Sequence, residues 1–220
     1  PEVEPLARHR LSIQTFSSLK NPNYRWLWMS SLCSFMAMGM NQVAQGWLVY
    51  KLTESPLALG IAGTSFGLPM LLFALLGGAI ADRVPRRNLL MVTQTALALG
   101  TLTVALLVTA GLIQFWHLIV VGLANGVVMA FNIPGRQAFL ADVVGEDGLL
   151  NGIALNSAGM NLTSILGPSL AGVIIGVLGV GMVFYLMLGF YLFAAFSIAI
   201  IPPMPAVNSH RRSTIKMDIA

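Results

Sequence analysis

Between two long apolar stretches lies Gly78-Ala-Ile-Ala-Asp82-Arg83-Val-Pro-Arg86-Arg87, which concentrates one carboxylate and three guanidinium groups in a short loop. The chemistry open to this set is non-covalent. Asp82 can accept charge-assisted hydrogen bonds from an arginine one helical turn away, such as Arg86. A carboxylate here is also favoured beside the N-terminus of another helix. The loop is therefore suited to contacts between helix ends.

Other chemistries lack their residues. The single Cys33 lies in an apolar segment and reads as a small buried hydrophobe, without a disulfide partner. There is no cluster of His, Cys and carboxylates with metal spacing, no phosphate loop, no nucleophile elbow and no nucleophile–base pair. An enzyme is not expected, nor a metal site or a cofactor. The pI near 9.7 could suggest nucleic acid. The basic residues sit between apolar segments, however, and read as determinants of membrane topology, so no nucleic-acid partner is expected.

The elements that must position the charged loop follow from composition. Hydrophobic residues make up 56% of the chain, charged ones only 9%, and mean hydropathy is +0.80. A soluble domain carries about 25% charged residues, so this chain cannot cover a water-facing surface. Crossing a bilayer takes about 20 mostly apolar residues. Six segments qualify: 25–50, 57–81, 88–110, 114–133, 149–176 and 180–201. The breaks are Thr53-Glu54-Ser55-Pro56, Asp82 to Arg87, Ala110-Gly111, Pro134-Gly135-Arg136 leading into a 134–148 loop with Gly145-Glu146-Asp147-Gly148, and Gly179. Barrel strands are excluded because the apolar runs show no ten-residue alternation. The first segment is too long for the apolar core of a signal peptide and reads as a transmembrane helix.

Six crossings place both chain ends and the loops 82–87 and 134–148 on one side. That side holds Arg8, Arg10, Lys20, Arg25, Arg83, Arg86, Arg87, Arg136, Arg211, Arg212 and Lys216, and the other only Lys51. Lys and Arg are enriched in cytoplasmic loops, so the basic side is expected to be cytoplasmic. Tyr24, Trp26 and Trp28 would mark the inner end of the first helix, Trp47 and Tyr50 its outer end, and Phe115 and Trp116 the outer start of the fourth, with His117 near the outer surface. Gly63/Gly67, Gly122/Gly126 and Gly172/Gly176 have spacings that allow close helix packing. Polar residues inside the spans tend to face a bundle interior or a cavity. Asn41, Gln45, Asn125 and Asn161 are the first candidates for contact with a substrate, ahead of Gln42, Gln94 and Asn156. Interhelical hydrogen bonding without substrate is the competing role for each. No acid or base lies deep within these spans, so this wall would be neutral and largely apolar, suited to bulky amphipathic molecules.

Gly78-x-x-x-Asp82-Arg83-x-x-Arg86-Arg87 resembles the signature loop between helices 2 and 3 of the major facilitator superfamily, with Pro85 where that loop has Gly. Asn23-Tyr-Arg25-Trp-Leu-Trp28, Gln42-Val-Ala-Gln-Gly-Trp-Leu-Val-Tyr50, Ser55-Pro-Leu-Ala-Leu-Gly60, Pro134-Gly-Arg136-Gln137-Ala138 and Gly167-Pro168-Ser-Leu-Ala-Gly172 are similar to its macrolide-efflux and siderophore-exporter branch. The resemblance runs from about residue 20 to 202. It implies an all-α membrane protein, with six transmembrane helices forming the N-terminal half of a twelve-helix fold. That half would comprise two inverted three-helix repeats, about 25–110 and 114–201. It also implies that Gly78, Asp82, Arg83, Arg86 and Arg87 form a conformational latch. The acid would contact the other half in the outward-open state, with Gly78 letting helices approach. Gly167, Pro168 and Gly172 match in part the helix-5 kink of proton-linked antiporters.

The resulting expectation is a tail at 1–23, a six-helix unit at 24–202 and a cytoplasmic linker beginning at 203–220, in the plasma or inner membrane. The function it implies is secondary-active export of drug-like or siderophore-like small molecules by alternating access. The partners would be membrane lipid, the small-molecule substrate, and a C-terminal six-helix half or a second copy of this chain. Two alternatives stand beside it: a non-transporting membrane interaction or sensor module, and a homodimeric carrier built from six-helix units.

Overall fold

The computed structural model describes residues 17–81 and 83–203. The expectations for Asp82, for the tail before Ser17 and for the segment after Pro203 lie outside the described residues. A short 3-10 turn, Ser17–Lys20, leads into α1 (Pro22–Thr53), α2 (Pro56–Ala81) and α3 (Arg86–Thr109). A helical stretch from Phe115 to Leu178 is broken at Gly145, which divides it into α4 (Phe115–Gly145) and α5 (Gly148–Leu178). The last helix, α6, is Val180–Ile200. There is no strand among the described residues. Helices α2 to α6 are long and apolar enough to cross a membrane. Helix α1 is the longest of the first three at 32 residues, but Asn41, Gln42 and Gln45 make it more polar.

Local sequence sets the boundaries. The Asn21 side chain caps α1 by accepting from the Asn23 N–H at 2.9 Å, with Pro22 in the first turn. Gly145 (φ 69, ψ 179) and Gly179 (φ 86, ψ 165) turn the chain through backbone conformations open essentially to glycine alone.

One boundary departs from the sequence-based expectation. Pro134-Gly135-Arg136 does not open a loop, because α4 continues through it to Gly145. Proline is tolerated inside a membrane helix when neighbours satisfy the freed backbone group. The carbonyl freed by Pro134 is that of Ala130, and Gly77 of α2 packs directly onto it. The 134–148 loop thus shrinks to the turn at Gly145, and Arg136 lies inside the bundle at 5% exposure.

Side-chain contacts gather four segments at one end of the bundle. The Ser18 hydroxyl donates to Gly148 O, and the Asn21 amide to Val143 O. Arg86 meets Asp142, and Arg87 reaches Ala199 O. The starts of α1 and α3, the α4–α5 turn and the end of α6 therefore share a face, as an even number of crossings requires. Tyr24 is not a ring at a lipid interface. Tyr24 is fully buried and donates to Gly152 O at 3.0 Å, while Trp28 donates to Leu155 O at 3.1 Å. Both tie α1 to α5. Among the glycine pairs, Gly122 and Gly126 pack against Ser65 and Phe66 of α2, whereas Gly63, Gly67, Gly172 and Gly176 face open space.

Candidate functional site: a basic helix-end cluster and a polar interior

At the basic end, Arg86 opens α3 and is nearly buried. Its Nη1 lies 2.5 Å from Asp142 Oδ1 of α4 and donates to Ala138 O at 3.2 Å. Sequence reasoning missed Asp142. The clue was an acid four residues after Ala138, which only the continued helix brings below Arg86. Arg87 donates to Ala199 O in the last turn of α6 at 2.6 Å, where a cation satisfies an orphan carbonyl and suits the helix dipole. Arg83 is exposed, and its backbone N–H bonds Ile80 O. Gly78 faces open space, and the glycine in tight contact is its neighbour Gly77.

Deeper in the bundle runs a buried polar belt. Arg136 forks between two hydroxyls of α1, Ser31 at 2.9 Å and Ser34 at 3.1 Å, with the ring centre of Phe35 6.0 Å from its Cζ. Gln94 of α3 donates to the same Ser34 oxygen at 2.7 Å, and Asn132 donates to Thr93 at 2.7 Å. Gln94 thus serves as an interhelical tie. The serines carried no sequence signal, because a lone serine in an apolar run reads as packing.

Asn41, Gln45 and Asn125 come together around a cavity of about 10 Å³ among α1, α3, α4 and α6. Asn41 donates to Gln45 Oε1 at 3.2 Å. That volume holds about one water, far below the several hundred Å³ of a drug-sized site. Asn161 stands apart on the exposed face of α5. Gly167 packs against Met36 O of α1, and Gly39 against Pro168 Cδ, so this motif forms the α1–α5 crossing, while Gly172 has no neighbour. His117 lies at the start of α4, where its Nδ1 accepts from the Gln114 N–H at 3.0 Å and its ring stacks on Trp116. Among the described residues no group of His, Cys, Asp and Glu could hold a metal.

Comparison with known proteins accords with this geometry. Residues 13–217 match the family described as transmembrane secretion effector. The staphyloferrin A transporter of Staphylococcus aureus is 27% identical over 154 residues, 70% of this chain and 39% of that protein. The enterobactin exporter EntS of Citrobacter koseri is 24% identical over 196 residues, 86% of this chain and 46% of that protein. The uncharacterised MFS-type transporter YfiS of Bacillus subtilis is 23% identical over 192 residues, 87% of this chain and 41% of that protein. The chain spans less than half the length of these relatives. With six long helices, a charged loop before α3 and a family match over nearly its whole length, the chain belongs to the transmembrane secretion effector family of major facilitator transporters.

Proposed function

We propose that this chain is the N-terminal six-helix half of a secondary-active exporter of siderophore-like or drug-like small molecules, working by alternating access. The observation that carries the reading is the convergence at one end of the bundle of the starts of α1 and α3, the α4–α5 turn and the end of α6. Such an end gathers the charged groups where a second half can grip and release them. Lys and Arg concentrate at this end, which supports a cytoplasmic placement in the inner or plasma membrane. The unit at 24–202 would carry transport, with 1–23 a tail and 203–220 the start of the linker.

Helices α2 and α5 are the least buried of the set. Their open faces, with Gly63/Gly67, Gly172/Gly176 and Asn161, are where a second six-helix unit would sit. The pathway would run between the two units, since the Asn41–Gln45–Asn125 cavity is too small for a substrate. Among the described residues the one acid inside these apolar spans, Asp142, is taken up by Arg86, so a proton-coupling carboxylate would come from the second unit. Two of the relatives are a transporter of staphyloferrin A and an exporter of enterobactin, which favours a siderophore-like cargo.

The test is expression of the full-length gene in an efflux-deficient host, with accumulation of labelled siderophores and drug-like compounds measured with and without a proton gradient. Gradient-dependent loss of label supports the reading. Accumulation unchanged for every compound refutes it and favours the interaction or sensor module.

A further inference from the structure

Pro134 removes one rung from the hydrogen-bond ladder of α4, because it cannot donate to Ala130 O. The segment from Gly135 to Gly145 therefore depends on side chains for its alignment with the rest of the bundle. Beside the buried Phe139, Leu140 and Val143 and the Asn21 amide on Val143 O, two arginines hold it. Arg86 reaches in from α3 to Ala138 O and Asp142. Arg136 reaches out from α4 to Ser31 and Ser34 of α1.

The Arg136 contact is unusual in three respects. First, the guanidinium is buried, and among the described residues no carboxylate lies within ion-pair distance of it. A buried charge held by neutral hydroxyls is a poor route to stability, and an apolar side chain of like volume commonly does better. Second, Ser34 is a junction. Its oxygen accepts from both Arg136 and Gln94 while its hydroxyl donates to Ser30 O, so α1, α3 and α4 meet at one atom. Third, the Ser30 hydroxyl and Gln94 Oε1, both fully buried, have no hydrogen-bond partner among the described residues. A belt with two unused groups is not saturated for stability. What it fixes is the rotation of α4 beyond its proline, which a planar fork between two hydroxyls specifies far better than apolar packing does.

We propose that Arg136 is a positioning residue for the Arg86–Asp142 pair: by forking onto Ser31 and Ser34 it fixes the segment of α4 beyond Pro134 so that Asp142 lies beneath Arg86. This rests on the transporter reading only in that the pair is taken to govern the conformational cycle. Arg136 itself bonds Ser31 and Ser34 and not Asp142.

The test uses the full-length transporter with Cys33→Ser and spin labels at Asn88→Cys on α3 and Gln137→Cys on α4, both exposed. Arg136→Gln should broaden and lengthen the α3–α4 distance distribution as Asp142→Asn does. The double variant should go no further than either single one, because coupled sites are not additive. Transport should lose maximal rate while keeping KM, and Arg136→Lys should restore little, since an ammonium cannot fork between two hydroxyls. If Arg136→Gln does not fold, the Ser31→Ala/Ser34→Ala pair removes the acceptors instead and should give the same distances. Unchanged distances, or shifts from Arg136→Gln and Asp142→Asn that add, would overturn the proposal. Distances that move while Asp142→Asn transports normally would leave Arg136 as a positioning residue and refute the latch.

Discussion

The Arg86–Asp142 pair gives the most demanding energetic prediction. The two side chains are 8% and 3% exposed and 2.5 Å apart, so the pair is a buried one and not a surface pair worth about 0–1 kcal/mol. Removing one partner from a buried pair costs about 3–5 kcal/mol, chiefly because the other charge is left uncompensated. Arg86→Leu, which leaves the Asp142 carboxylate buried alone, should fall in that range, and Asp142→Leu should cost somewhat less. Asp142→Asn keeps an acceptor oxygen and should cost about half as much, near the worth of a charged hydrogen bond, roughly 1.5–3 kcal/mol. Arg86→Leu should cost at least as much as Asp142→Leu, because Arg86 also donates to Ala138 O. The double Leu variant buries no lone charge, and its loss should be well below the sum of the single losses. The resulting coupling energy is about 3 kcal/mol. The assay is detergent unfolding of the full-length protein in mixed micelles, followed by tryptophan fluorescence. A coupling energy below about 0.5 kcal/mol would class the pair with solvated surface pairs and refute the argument from burial.

Two further substitutions probe the backbone. Gly77→Ala would drive a methyl group into the Ala130 carbonyl freed by Pro134. The obstacle is backbone, which cannot rotate away as a side chain can, so α2 must part from α4. We expect a loss of about 1–3 kcal/mol, while Gly78→Ala beside it, which meets nothing, should be nearly silent; equal effects would refute the assignment of the contact. Glu54 ends α1 in the left-handed region at φ 49, a conformation costing a side chain about 1–2 kcal/mol. Replacement by Gly relieves that cost and adds unfolded-chain entropy, so Glu54→Gly should raise stability by about 0.5 kcal/mol; a clear loss in the same unfolding assay would show that the carboxylate contributes at this turn.

Most helix boundaries were legible because glycine and charge stand where the chain must turn. Gly111, Gly145 and Gly179 all have positive φ, and each lies in a break marked by residue type alone. Pro134 misled for a definable reason. In water a proline followed by Gly and Arg ends a helix, but in a bundle a glycine from another helix can cover the freed carbonyl, and Gly77 is far away in sequence. The same distance hid the site. Arg86 was legible as a contact-maker, whereas Asp142 became its partner only once α4 ran on past Pro134. Ser31 and Ser34 became acceptors only once Arg136 was inside. Amide side chains in spans were legible as interior groups, but the sequence does not distinguish an interior shared by two halves from the interior of one. Asn41, Gln45 and Asn125 are half-buried and line a small cavity among α1, α3, α4 and α6.

The packing also carries an order that sequence similarity between the two three-helix sets is too weak to reveal. Exchange α1, α2 and α3 for α4, α5 and α6, and the crossings map onto one another. Helix α1 meets α5 where Gly167 of α5 lies against Met36 O of α1, and α4 meets α2 where Gly77 of α2 lies against Ala130 O of α4. Helix α1 packs on α6, α4 packs on α3, and α3 packs on α6. Helix α1 starts at the basic end and α4 starts at the opposite one, so the exchange also reverses direction across the membrane. Both principal crossings place a glycine against a carbonyl, the contact that brings two helix backbones closest. The same carbonyl-on-glycine geometry with different side chains needs no sequence identity beyond the glycine. Repeats held by backbone contacts can therefore diverge freely elsewhere. This divergence leaves one set free to carry Arg86, Ser31 and Ser34, and the other to carry their partners Asp142 and Arg136.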